Sequence, residues 1–143
     1  MRISPNFDLS EFTTSQTAAR LGIDNTPSPE IVDNLRKTAE LLEEVRAILK
    51  APILITSGYR CPDLNLAVGG VPGRSSHTTG QAADFHAPGA GSPKSICMKI
   101  AGTPGLRFDQ LIHEYSSWVH LAWSDAPRQQ VLTIDRNGTR EGL

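Results

Sequence analysis

The chain has 143 residues, enough for one hydrophobic core and one domain, and its 38% hydrophobic and 20% charged content is that of an ordinary globular protein. Fourteen Lys and Arg against fifteen Asp and Glu leave a formal net charge of −1, which excludes the basic footprint of a nucleic-acid binder. No apolar run approaches the ~20 residues of a membrane span, and the two cysteines, Cys61 and Cys97, are too few for a disulfide framework and are not spaced as a CxxC knuckle.

The first residues, MRISPNFDLSEF, lack the charged start and apolar stretch of a secretory signal. The expectation is therefore a protein made in the cytoplasm, with no membrane partner, that reaches any substrate beyond the membrane by another route. A short helix is expected from Asp8 or Ser10, either of which can cap free N–H groups, to about residue 20, with Gly22 as its stop. Pro27-Ser28-Pro29-Glu30 starts a longer helix in which Ile31, Leu35, Leu42, Val45 and Leu49 form one apolar stripe, and Pro52 ends it. Residues 52–57 read as a buried strand of apolar and β-branched residues. Residues 62–68 read as a short helix stopped by Gly69-Gly70, and residues 71–81 as a loop rich in Gly, Ser and Thr. The run from Val68 to Arg74 lacks the Lys-Ser/Thr ending of a phosphate-binding loop. A short strand over 82–86, a helix over 93–101 and strands over 106–113, 118–123 and 129–135 follow, with Asn137-Gly138 as a closing turn. Helices first and strands later point to an α+β fold with a small, largely antiparallel sheet and flanking helices. With no repeat or linker, residues 1–143 are taken as one domain, a helical part over 1–50 and a part over 51–143 that holds the chemistry.

Functional side chains concentrate between Arg60 and His120. His77 sits in a polar, Gly-containing loop, Asp84 follows on a small-residue strand, and His120 alternates with Val119 and Leu121, so that it projects from the other face of its strand. Two imidazoles and a carboxylate suit zinc, and three protein ligands leave a fourth position for water. Taken singly, each has a plain alternative: a solvated histidine, a turn aspartate, a core histidine.

Together, Ser75-x-His77-x-x-Gly80-x-Ala82-x-Asp84 and the downstream Trp118-Val119-His120 resemble the signature of the zinc D-alanyl-D-alanine metallopeptidase family, which includes carboxypeptidases, dipeptidases and phage peptidoglycan endopeptidases and shares its fold with the hedgehog signalling domain. The similarity extends to Ile55-Thr56-Ser57-Gly58-Tyr59-Arg60, Leu64-Asn65, Val68-Gly69-Gly70 and residues 17–25, and is close to the small, single-domain branch. The resemblance implies one zinc ion held by His77, Asp84 and His120, and a substrate-binding or polarising role for Arg60. It also implies a monomeric peptidase acting on the peptide stems of peptidoglycan, as carboxypeptidase or endopeptidase, with phage lysis or virion delivery as a route to the wall.

The departure from the family pattern concerns the general base. Its usual place, three residues before the last histidine ligand, is Ser117 here. Glu114 is the expected substitute, brought to the metal either by the even spacing of a continuous strand or by a turn at Tyr115-Ser116-Ser117. Asp109 is the second choice, also consistent with a structural role. His113 reads as a neutral surface histidine that can otherwise donate to the transition state. His113-Glu114 is not an HExxH motif, since Ser117 holds the place of the second histidine. Ser75, His86 and Tyr59 are the remaining expected cleft or substrate contacts. The alternatives to a peptidase are a non-catalytic, zinc-retaining wall-binding or virion module, favoured by Ser117, and an amidase cutting the bond between lactate and L-alanine.

Overall fold

A computed structural model describes residues 1–70 and 75–143. The Val71, Pro72, Gly73 and Arg74 part of the expected loop lies outside the described residues.

The chain opens with a small hairpin that composition did not announce, β1 (Arg2–Ser4) and β2 (Phe7–Asp8). The single expected helix is two, α1 (Leu9–Thr13) and α2 (Gln16–Leu21). Asp8 caps α1 and Glu11 reaches back to the cap, completing a capping box. The break falls at Thr14 and Ser15, both extended, because the Ser15 hydroxyl accepts the Ala18 N–H and starts a new helix. Gly22, left-handed at φ 69, ends α2 as expected.

Helix α3 (Pro29–Leu49) follows the stripe pattern and is capped by Ser28. It stops at Lys50, in the left-handed region at φ 54, before Pro52 is reached. Leu35, Leu42, Val45 and Leu49 enter the core with Phe7, Phe12, Ile96 and Ile100. Glu43 ties the N-terminal hairpin to this helix, accepting from the Ser4 hydroxyl at 2.6 Å and from the Asn6 backbone and side-chain N–H groups at 2.7 and 2.6 Å.

The remaining elements are β3 (Leu54–Ser57), α4 (Pro62–Ala67), a 3-10 turn (Ser76–Thr79), β4 (Ala82–His86), a second short 3-10 turn (Pro88–Ala90), α5 (Pro93–Ala101), β5 (Gln110–Glu114), β6 (Trp118–Ala122), β7 (Gln130–Asp135) and β8 (Gly138–Glu141). Six strands form one sheet in the order β3-β4-β6-β5-β7-β8, antiparallel at every pairing except β5 with β7. The fold is thus α+β with a largely antiparallel sheet. Three details depart from expectation. Strand β3 is a half-exposed sheet edge, with Leu54 50% exposed, not a buried strand. Strand β5 starts at Gln110, because Leu106 and Phe108 enter the core as irregular chain held by the Gln129 side chain, which accepts from Phe108 N and donates to the Leu106 carbonyl. The terminal strand β8 extends the turn at Asn137-Gly138 into a hairpin.

Pairing register sorts side chains between the two sheet faces. Phe85, Val119 and His113 lie in one row and Ala83, Leu121 and Leu111 in the next, on the face covered by α3 and α5. Asp84, His120 and Ile112 form the row between them and face the other way. Among the described residues no helix is long and apolar enough to cross a membrane.

Candidate metal centre

His77 is set by its backbone neighbours. Ser75 caps the 3-10 turn, its hydroxyl accepting the His77 N–H at 3.3 Å, and Gly80, left-handed at φ 78, closes it. The turn is then tied to α3: Asn34 donates to the Thr79 carbonyl at 2.9 Å and Thr38 to the Gly80 carbonyl at 2.7 Å. Trp123 extends the clamp through its indole N–H, 2.8 Å from the Thr38 hydroxyl. Helix α3 therefore supports the site directly, a role its sequence did not suggest.

The His77 ring is 3% exposed, and Nδ1 lies 2.7 Å from the Gly58 carbonyl. That carbonyl can only accept, so Nδ1 carries the proton and Nε2 keeps a free lone pair. Asp84 and His120 are direct cross-strand partners on β4 and β6. The Asp84 Oδ1 atom lies 2.8 Å from His120 Nδ1 and 3.3 Å from His77 Nε2. The two imidazole rings meet edge to face with centroids 5.1 Å apart.

One nitrogen from each histidine and one oxygen from Asp84 lie within 4.8 Å of one another, so the group can hold a metal ion. The electrostatics fit a cation. Burial alone would raise the Asp84 carboxyl, but the hydrogen bond from His120 and the close contact with the His77 ring outweigh it and hold the carboxyl well below the usual range. Burial depresses the His77 pKa, which favours the neutral, metal-binding imidazole.

Glu114 stands beside this cluster. Strands β5 and β6 join through a turn whose central residues, Tyr115 and Ser116, are left-handed at φ 52 and 55, with Ser117 N–H donating to the Glu114 carbonyl at 3.0 Å. The turn, not a continuous strand, pairs Glu114 with Trp118 on the same face as His120. Its Oε1 is 3.9 Å from His120 Nδ1. Burial, then the charge of Asp84, pushes the Glu114 pKa up, while His120, Trp118 and Arg60 draw it down.

Arg60 is half-buried, its backbone N–H donating to the His77 carbonyl at 3.0 Å. Its buried Nε has no hydrogen-bond partner among the described residues. Burial lowers the Arg60 pKa, and Asp84 and Glu114 oppose that. A cavity of about 550 Å³ gathers Arg60, Ser75, His77, Asp84, Glu114 and His120, with Tyr115 and Trp118 at its wall.

Other expected residues lie elsewhere. His113 is buried at 8% on the core face, among Lys94, Thr133, Asp135 and Arg140, so it is neither at the surface nor aimed at the metal. The single-residue alternation of β5 separates it from Glu114. Asp109 accepts two guanidinium hydrogen bonds from Arg128, at 2.9 and 2.8 Å, and is a structural ion pair outside the cavity. His86 shares the face of Asp84 but pairs with Leu54 and does not line the cavity. Tyr59 is buried, its N–H donating to the Phe12 carbonyl at 2.7 Å, and it lines a neighbouring cavity that shares Arg60 and Asp84, not the metal cavity itself. Cys61 and Cys97 are free thiols, and burial pushes that of Cys97 up to about 12.

Two supporting residues escaped sequence reasoning, although both lie in stretches that resemble the family. The Gly58 backbone passes so close to α1 that an added Cβ would sit 2.5 Å from the Phe12 carbonyl oxygen. Buried Asn25 donates to the Thr13 and Tyr59 carbonyls and accepts from Cys61 N–H at 2.8 Å, bracketing Arg60.

The model of a protein family described as Peptidase M15 matches residues 5–122. The match takes in every residue of the metal centre and leaves out β7 and β8. No curated protein matches the chain.

Proposed function

The chain belongs to the peptidase M15 family, the zinc D-alanyl-D-alanine metallopeptidases, and we propose from that premise that it hydrolyses peptide bonds in the stem peptides of bacterial peptidoglycan, with zinc held by His77, Asp84 and His120. The observation that carries the reading is the meeting of those three donors with the Glu114 carboxylate in one cavity that also contains a cation, Arg60.

Zinc in such a site acidifies a water and polarises the scissile carbonyl. Glu114 accepts the proton of the attacking water on a carboxylate oxygen. The water oxygen bonds to the carbonyl carbon, the C–N bond breaks, and Glu114 returns the proton to the departing amine nitrogen. Its raised pKa suits both halves of that exchange. Arg60 faces the same space and supplies a guanidinium for a substrate carboxylate or for the oxygen on which negative charge develops. Ser75 is a positioning residue, holding the turn that carries His77.

A second reading, a non-catalytic module that retains the metal, is favoured by Ser117 at the family's usual base position. Metal analysis combined with mass spectrometry of products from purified walls, with and without chelator, separates the two. The peptidase reading expects about one zinc per chain and new amino termini that vanish on chelation and return with zinc. Zinc retention with no product of any kind refutes it. Separated glycan and intact peptide stems would indicate an amidase.

A further inference from the structure

A second cavity, of about 510 Å³, adjoins the metal centre and is not lined by Glu114. It shares Arg60, Val68 and Asp84 with the metal cavity, so the two are arms of one cleft that meet at a metal ligand. Each arm falls within the ~300–1,000 Å³ that encloses a typical small-molecule ligand. The metal donors thus stand at the junction of two spaces, each roomy enough for a stretch of substrate.

The second arm has a definite chemistry. Thr14, Gln16 and Thr17 supply one wall, from the junction between α1 and α2. Thr56 and Ser57 supply the other, from β3. That strand is the edge of the sheet, so among the described residues no further strand fills the space beside it. The register slips between Ile55 and Ser57, a bulge that places Ser57, rather than Thr56, opposite Asp84. Apart from Arg60 and the metal ligand Asp84, the arm is lined by uncharged residues, mostly hydroxyl-bearing. Such walls hydrogen-bond peptide N–H and C=O groups without selecting a charged side chain.

Resting on the peptidase reading above, we propose that this arm binds an uncharged, extended segment of the substrate peptide on one side of the scissile bond, while the metal cavity holds the other side. The enzyme is then an endopeptidase that cuts within a longer or cross-linked peptide. Arg60, at the junction of the arms rather than at a blind end, holds the chain in passing and does not require a free terminal carboxylate.

The test uses the zinc-loaded full chain on three substrates: cross-linked stem-peptide dimers, monomeric stems with a free C-terminal carboxylate, and the same stems amidated at that carboxylate. Cleavage of the dimers, and of amidated stems at a rate within about threefold of the free acids, is expected, because no terminal charge is required. Thr14→Trp and Thr17→Trp each fill the arm from a different position. They are expected to lower kcat/KM on the dimers by about tenfold or more, with zinc content and Tm unchanged. Release of residues only from free C-termini overturns the inference and leaves the peptidase reading intact. So does wild-type cleavage of dimers by both folded, groove-filled variants. Failure to cleave any of the three substrates overturns both.

Discussion

Gly58→Ala is the sharpest probe of how the metal centre is held. The added Cβ would lie 2.5, 2.7 and 2.9 Å from the Phe12 carbonyl oxygen, Cα and carbonyl carbon, all backbone atoms that cannot rotate away. Restoring ordinary contact at about 3.4 Å requires roughly 0.9 Å of separation between the Gly58 strand end and α1. The Gly58 carbonyl accepts from His77 Nδ1 at 2.7 Å. A displacement of that size away from His77 takes the bond to about 3.6 Å, beyond hydrogen-bond range. Two effects are then expected. Overpacking against Phe12 costs about 1–3 kcal/mol of stability, and loss of the group that orients the His77 imidazole weakens zinc binding by about 10–100-fold. Competition against a chromophoric chelator measures the second and thermal unfolding of the metal-free protein the first. Gly89→Ala is the control, since its Cβ would meet only the Ala51 methyl at 3.5 Å. If Gly58→Ala binds zinc within twofold of wild type, the Gly58 carbonyl does not hold the His77 ligand and the reasoning fails.

Glu114→Gln is expected to lower kcat by about 10²–10⁴-fold while zinc content stays at one per chain; unchanged hydrolysis would remove Glu114 from the mechanism. Zinc at 100 times its Kd should stabilise the native state by about 2.7 kcal/mol, read as a rise in Tm that chelator reverses and that His120→Ala abolishes. Asp109→Asn tests the ion pair with Arg128. Hydrogen bonds from Arg128 lower the Asp109 pKa, so the pair's contribution is intact above the unfolded carboxyl value of ~3.9 and disappears as the pH falls through the lower folded value. Because Arg128 is exposed, the loss of stability at pH 7 should not exceed about 1 kcal/mol. Urea titrations at neutral pH and near pH 2 measure it, and a difference in unfolding free energy that persists at the acid end would show another origin.

Much of the scaffold follows from local rules. The apolar stripe of α3, the capping residues Asp8, Ser15 and Ser28, and the left-handed glycine after α2 act over a few residues, and the chain carries those signals wherever it folds. Spacing and residue type also make His77, Asp84 and His120 recognisable as donors, because their order follows a family pattern that the match over residues 5–122 supports. What residue type could not convey was which side chains share a face and which backbones touch. Glu114 and His113 are neighbours in sequence, yet strand alternation puts one beside the metal donors and buries the other in the opposite layer. Glu114 faces His120 only because a turn built on left-handed Tyr115 and Ser116 folds β5 onto β6. Asn34 and Thr38 read as polar positions on a scaffold helix until the chain brings the Thr79 and Gly80 carbonyls within hydrogen-bond range. The position of β3 at the sheet edge is likewise a property of strand order, which no window of sequence contains. The amino-acid sequence therefore determines the donors and most of the elements that carry them, through interactions local in the chain. The tertiary structure decides where the Glu114 carboxylate stands, how His77 is oriented and that one arm of the cleft is open, because each depends on a turn, a register or a contact that brings separate elements together.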